Sequence, residues 1–322
     1  MKKALLIQAA LLLILSCGGK QTNAIATTDW NENDLKGNVK SISTYLYTDN
    51  GETNSYVERF DKDNRILESI AYEGGTIINQ HTLYSYNNNG KISQKTYISY
   101  RHSEEGDTTN MVYTYNNSGL NTRIEEYYNG EIFDFMANEY NEQGLLISAT
   151  EGEDGLKTAY AYDKNGKLTE QVAQHTLKAY EYDGNGRLAS CKTYENGGIE
   201  TEDNVLFLTE GYEYDEHGRL IKEFGRDAGG PSTLDYDKTL RYDEKNRLVE
   251  LKITDSEGRV ERHIFYTYDE KGNMVELKKL LDHSLVTEIS SYIYDEQGNW
   301  IEAHYSFNGT TAKASREIEY YS

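Results

Sequence analysis

The residues able to do chemistry are abundant in this chain but poorly spaced for it. Seven histidines, His81, His102, His175, His217, His263, His283 and His304, are scattered along 322 residues, with no HxxxH or HExxH spacing that would bring two onto one metal. No GxSxG elbow, CxxC pair or phosphate-binding glycine loop occurs. With 54 Asp and Glu, a pair of carboxylates at glycosidase spacing can be drawn almost anywhere, so such a pair carries no information. Asp61-Lys62-Asp63-Asn64 and Asp183-Gly184-Asn185-Gly186 echo part of a calcium loop, but neither continues to an acidic twelfth ligand. The expectation is therefore no enzyme, no cofactor and no dedicated metal site. What remains is 29 tyrosines. Their flat faces beside hydroxyl, amide and carboxylate groups suit sugar rings, and a repeated shallow site would hold a polymer by avidity. The competing reading makes most of these rings cross-strand ladder and core, so no single tyrosine is picked out as a binding residue.

Composition bounds the partners. The formal charge of −21 argues against nucleic acid, where affinity comes from cations that neutralise phosphates, and against direct attraction to anionic lipid head groups. A 37% hydrophobic share gives little material for a thick core, yet 12% aromatic residues are the wrong signature for an unfolded polyelectrolyte.

The elements that position these residues come from a repeat. An aromatic followed by Asp or Asn recurs ten times: Phe60-Asp61, Tyr86-Asn87, Tyr115-Asn116, Tyr140-Asn141, Tyr162-Asp163, Tyr182-Asp183, Tyr214-Asp215, Tyr242-Asp243, Tyr268-Asp269 and Tyr294-Asp295, with Tyr320 in register after them and a mean spacing of 26. Four residues after each aromatic stands a glycine, Gly166, Gly186, Gly218, Gly272 and Gly298 among them, or in two cases Asn64 and Asn246. Glycine and asparagine are the residues that best tolerate left-handed backbone, so the position needs φ > 0. The side chain of Asp163, Asp183, Asp215, Asp243, Asp269 or Asp295 can accept an N–H two residues on, and a type I turn closed by a left-handed residue makes a three-residue hairpin with a bulge. A second tyrosine often stands two positions earlier, as at Tyr84, Tyr113, Tyr160, Tyr180, Tyr212, Tyr266 and Tyr292, which places both rings on one face of a strand. This register sets Tyr162 opposite Leu168, Tyr214 opposite Leu220 and Tyr294 opposite Trp300; a four-residue loop would shift the partners by one.

Each period supplies two strands, so the expected fold is all-β: a repeat array of about ten antiparallel hairpins of about 26 residues, roughly twenty strands in one continuous sheet. Sheets of that width cannot stay flat, and the array is expected to coil into a superhelix. Val249, Leu251 and Ile253 alternating against Leu248 make the later repeats apolar on both faces, so that half is expected to roll onto itself. The lone proline, Pro231, lies in a lengthened repeat where it removes no ladder hydrogen bond.

At the N-terminus, Lys2-Lys3 precede an apolar run from Ala4 to Leu15 that is too short to span a bilayer. Ile14-Leu15-Ser16-Cys17 resembles the lipobox of bacterial lipoproteins. The resemblance implies a signal peptide over 1–16, a lipidated Cys17, a tether over 17–33 and a repeat domain over 34–322. Gly18 after the cysteine, where an Asp would favour inner-membrane retention, implies the outer membrane. Cys191 would then be the only remaining thiol, which rules out an intramolecular disulfide, and its surroundings read as a strand residue rather than a nucleophile.

Tyr162-Asp163-Lys164-Asn165-Gly166-Lys167-Leu168, Tyr182-Asp183-Gly184-Asn185-Gly186-Arg187-Leu188 and Tyr214-Asp215-Glu216-His217-Gly218-Arg219-Leu220 resemble the YD repeats of RHS and wall-associated proteins, over about residues 35 to 322. No proline-rich core motif or toxin domain follows the array, so toxin delivery is not expected. The resemblance implies a β architecture, an envelope setting and an affinity for carbohydrate. The expected function is a non-enzymatic cell-envelope lipoprotein, reached by the membrane through its lipid, that presents a binding or scaffolding surface to a glycan or another envelope protein. The rivals are a polysaccharide-acting enzyme, with its site in the insertions near Glu195 to Leu208 and Phe224 to Thr239, and a purely structural protein.

Overall fold

In the computed structural model, residues 35–48, 51–101, 105–196, 204–230, 232–281, 284–307 and 310–322 are described. The signal segment 1–16, Cys17, the tether up to residue 33, Pro231 and the middle of the first insertion lie outside these residues. Among the described residues every regular element is a strand. Twenty-two of them run from β1 (Val39–Thr48) and β2 (Gly51–Phe60) to β22 (Thr310–Tyr320). Each pairs antiparallel with the next in sequence.

The sheet does not coil as an open superhelix. β1 pairs with β22 from Val39↔Tyr320 to Thr48↔Ala312, which closes the meander into a barrel of eleven hairpins. Closure removes both edge strands, which an open array would leave as unpaired rows of N–H and C=O groups. Twist between neighbouring strands favours a coil; shear summed over the ring is what brings the two ends into register.

Strand alternation gives the wall two unlike faces. Phe60, Ile42, Val39, Met136, Ala149, Tyr180, Cys191, Ile264, Ala303 and Ala314 are buried, and the pairing register puts them all on the face that carries the repeat tyrosines. That crowded, concave side is the inner wall. The outward face holds cross-strand charge pairs, such as Lys192–Glu181 at 2.9 Å, Arg241–Glu250 at 2.8 Å and Lys313–Glu302 at 2.5 Å. His81, His263 and His304 lie there too, each against a glutamate (Glu68, Glu250, Glu302). A ring of 22 strands at ~4.8 Å spacing has a perimeter of at least ~105 Å, far more than side chains can fill. The compact apolar cluster among the described residues is local: Leu35, Val39, Ile42, Phe60 and Ile66, with Tyr84, Ile318 and Tyr320 against it, beside the β1–β22 seam.

Candidate functional site: the turn rim, the loop rim and the inner wall

The repeat turns all fall at one end of the barrel. In the turn after Tyr162, the Asp163 carboxylate accepts the N–H groups of Asn165 at 2.8 Å and Lys167 at 2.9 Å, and Gly166 N–H closes on Asp163 O at 3.0 Å. Asp183, Asp215 and Asp243 repeat that double capture, while Asp269 and Asp295 accept the N–H of Asn273 and Asn299. Gly166, Gly186, Gly218, Gly272 and Gly298 have φ of 80°, 81°, 80°, 95° and 88°, and Asn64 and Asn246 take the same conformation at 65° and 64°. Tyr162 pairs with Leu168, Tyr214 with Leu220 and Tyr294 with Trp300, each beside a bulge, so the loop is the three-residue one. The N–H donors hold the carboxyls of Asp163, Asp183 and Asp243 below the usual range, the backbone N–H four residues on being the largest cause.

Successive turns are stitched together by the residue after the glycine, a role sequence reasoning missed. Arg219 Nε donates to Asp215 Oδ2 at 2.6 Å, its Nη1 reaches Asp243 O at 3.3 Å in the next turn, and its guanidinium lies 5.1 Å over the Tyr242 ring. Arg187 and Arg247 do the same toward Asp215 and Tyr214, and toward Asp269 and Tyr268. From the other side, the key tyrosines from Tyr86 to Tyr268 donate their hydroxyls to a carbonyl of the preceding hairpin, as Tyr162 does to Leu146 O at 2.8 Å and Tyr242 to Leu220 O at 2.9 Å, whereas Tyr294 donates to the Asp269 carboxylate at 2.6 Å. The signal was visible as the Arg, Lys or Asn following the glycine, but its partners lie 22 to 28 residues away.

The seam uses a variant of this stitch. Where Arg stands elsewhere, Asn299 accepts Lys36 N–H at 2.7 Å and donates to Lys36 O at 2.8 Å and to the Tyr320 hydroxyl at 2.7 Å. Tyr320 also donates to the Asp295 carboxylate, and burial, aided by that bond, pushes its hydroxyl up to about 12. Tyr321 donates to Phe60 O at 2.7 Å.

The opposite rim is built differently. Its connections range from Asn129-Gly130 to the long link between Asp227 and Tyr236, and one of them, Asp255 to Arg259, copies the Asx turn. Large apolar side chains stand exposed where strands begin at this end: Ile77 at 69%, Val205 at 64%, Phe133 at 54%, with Ile132, Leu156 and Val260. Its charges are mostly acidic, with Glu73, Glu105, Glu131, Glu153, Asp154, Asp227 and Glu257 against Arg101, Lys157 and Arg259.

On the inner wall the two lengthened repeats bring ionisable groups together. Tyr212 pairs with Glu223 and Glu210 with Gly225, while the Tyr236 hydroxyl donates to Glu223 at 2.7 Å and Lys238 Nζ to the same carboxylate at 3.0 Å. Burial, then the Lys178 cation opposing it and the like charge of Glu223, leave the Glu210 carboxyl raised. The Tyr212, Tyr180 and Tyr236 hydroxyls are raised by burial and stay protonated. Cys191, on the same wall, is a free, buried thiol pushed up to about 11 by desolvation, which removes thiolate reactivity.

Family comparison agrees with the turn chemistry. Residues 162–199 and 214–260 match the RHS repeat. Residues 18–173 match a second family, described only as an uncharacterised protein. No curated protein is detectably similar in sequence. Among solved structures, a Tc holotoxin pore of Photorhabdus luminescens is 12% identical over 80% of this chain and 19% of its own, with a TM-score of 0.26. A porin-like protein from Bacteroides uniformis is 11% identical over 88% of this chain and 99% of its own, with a TM-score of 0.30. The chain thus spans about a fifth of the toxin chain it matches, and at such TM-scores the architecture stands on its own strand pairing.

Proposed function

We propose that this barrel of RHS repeats is the binding and scaffolding body of a non-enzymatic lipoprotein of the bacterial cell envelope, anchored through a lipid on Cys17 and standing beside the bilayer rather than in it. The observation that carries the reading is the charge on the outward face. Lys192, Arg241 and Lys313 stand there with their glutamate partners. In a lipid-crossing barrel a basic side chain on that face costs about 2–4 kcal/mol near the midplane. Attachment then falls to the segment before Leu35, where the basic start, the apolar run and Cys17 have the makings of an export signal and an acyl acceptor. Gly18 favours the outer membrane as the address. Cys17→Ala should abolish acyl labelling and release the protein from membrane fractions; a variant still retained in washed membranes would contradict the anchor.

The partner surface in this reading is the inner wall, where paired tyrosines alternate with Glu, Lys, Gln and Asn along a closed perimeter, a surface suited to a glycan chain or an extended segment of another envelope protein. The test is a glycan array probed with the form lacking residues 1–17. Binding that strengthens with oligosaccharide length supports the carbohydrate reading, and an empty array removes it.

A second reading, a polysaccharide-cleaving enzyme, is favoured by the unlike environments of Glu210 and Glu223 beside the insertions, one carboxyl raised by burial and the other held by Tyr236 and Lys238. Loss of a glycan-cleaving activity in Glu210→Gln would support it. Absence of cleavage by the unaltered chain across the glycans it binds would dismiss it.

A further inference from the structure

Between the segment ahead of β1 and the last strand lies a cavity of about 60 Å³, lined by Lys36, Asn273, Tyr294, Asn299, Trp300 and Arg316. One water needs roughly 10–15 Å³ of such volume, so several waters or one small polyatomic ion fit. Its walls carry two cationic side chains, Arg316 and Lys36. Arg316 projects from β22 on the inner side, its guanidinium stacked 3.5 Å from the centre of the Trp300 ring. Arg316 Nε is shut off from solvent and finds no acceptor. A buried donor left in that state costs free energy comparable to a lost hydrogen bond. Burial lowers the Arg316 guanidinium from its usual value, with Glu58 on β2 opposing that loss, and Nε stays unmatched.

The amides on the cavity wall have no donors left to give. Asn299 Nδ2 is used by Lys36 O and the Tyr320 hydroxyl, and Asn273 Nδ2 by Asp269 and Tyr294. The cationic residues that line it are Arg316 and the exposed Lys36. A guanidinium fork and a lysine lining a cavity of this size match the oxygens of a phosphate, sulfate or carboxylate group.

We propose that the seam cavity binds a small oxyanion, held between Arg316 of the last strand and Lys36 ahead of the first. Bound there, the anion ties the two ends of the ring to each other, so occupancy stabilises the closed barrel by mass action.

Trp300 reports on the site directly, because the chain has only one other tryptophan, Trp30. The full chain carrying Trp30→Phe is titrated with inorganic phosphate, sulfate, glucuronate and glycerol phosphate at ionic strength held constant with chloride. Trp300 emission and the thermal midpoint are followed together. The expected result is a saturable emission change with a rising midpoint, weakened at least tenfold in Lys36→Ala and lost in Arg316→Gln. Preference for inorganic phosphate over the two organic anions would make the ligand a free ion; preference for glucuronate or glycerol phosphate would make it a group on a glycan or a lipid. An emission that does not move with any of the four anions overturns the site. So does a response equal in Lys36→Ala and the parent chain, and that exposed variant decides the matter even where Arg316→Gln fails to fold.

Discussion

The two rims of the barrel close hairpins of the same sheet by different means. At the turn rim, each Asp or Asn captures N–H groups of its own loop, a residue with φ > 0 closes the turn, and an Arg or Lys reaches the next one. Opposite charges there are consumed in pairs such as Arg219–Asp215 and Arg247–Asp243. At the loop rim the connections vary in length, acidic residues outnumber basic ones, and Ile77, Phe133 and Val205 stand exposed. Order is not built evenly into the sheet. The turn rim carries the cassette that sets register, strand spacing and, through Asn299, the closure of the ring. The loop rim inherits its geometry from the strands and is free to vary.

The largest effect is expected at the seam. Asn299 is 3% exposed and makes three hydrogen bonds that join residues 36, 299 and 320. Asn299→Ala should cost about 3 kcal/mol, at ~1 kcal/mol per bond, measured by urea denaturation. A loss no larger than that of a loop-rim substitution would erase the distinction between the rims.

Next come the individual turns. Gly166→Val forces a β-branched residue to φ 80° and should cost about 1–2 kcal/mol, whereas a five-residue Gly/Ser insertion after Gly229, in the long loop-rim connection, should cost under ~1 kcal/mol. The reverse ranking in denaturant midpoints would contradict the assignment of register to the turn rim.

Acid should act on the turn rim first. The carboxyls of Asp163, Asp183 and Asp243 are depressed by their backbone donors. Their contribution is therefore complete above the unfolded value near ~3.9 and lost as pH falls through the folded values. Pulse-labelled hydrogen exchange below about pH 4 should open the turn segments before the loop-rim connections, and Asp183→Asn should blunt that response at its own turn. The smallest effect belongs to the loop rim itself: Ile77→Ser and Val205→Ser should change stability by no more than ~0.5 kcal/mol, because their side chains are already in water.

Most of the turn rim was legible in the sequence, because Asp163, Gly166 and Leu168 act on one another within a few residues. The inner face was legible too, since Tyr160 and Tyr162 stand two apart and alternation fixes their side. What could not be read is what depends on distance. The reach of Arg219 to Asp243 spans 24 residues and the grip of Asn299 on Lys36 spans 263. The choice between an open coil and a closed barrel rests on such contacts and on shear summed over every strand, which no local pattern encodes. Tyr320 standing in register at the end of the array was the one visible sign, and its meaning lay in the Asp295 and Asn299 side chains it binds. The packing of Phe224 onto Gly211 and of Tyr236 onto Gly225 across neighbouring strands was hidden for the same reason.

Closure of the ring is tested most directly by one cross-link. Ser43 of β1 stands opposite Glu317 of β22 on the outward face. In a chain carrying Ser43→Cys and Glu317→Cys, with Cys17 and Cys191 replaced by serine, mild oxidation should form an intramolecular disulfide in nearly every molecule. The two positions are 274 residues apart in sequence; if both thiols stay free and reactive, the array is open and the barrel is wrong.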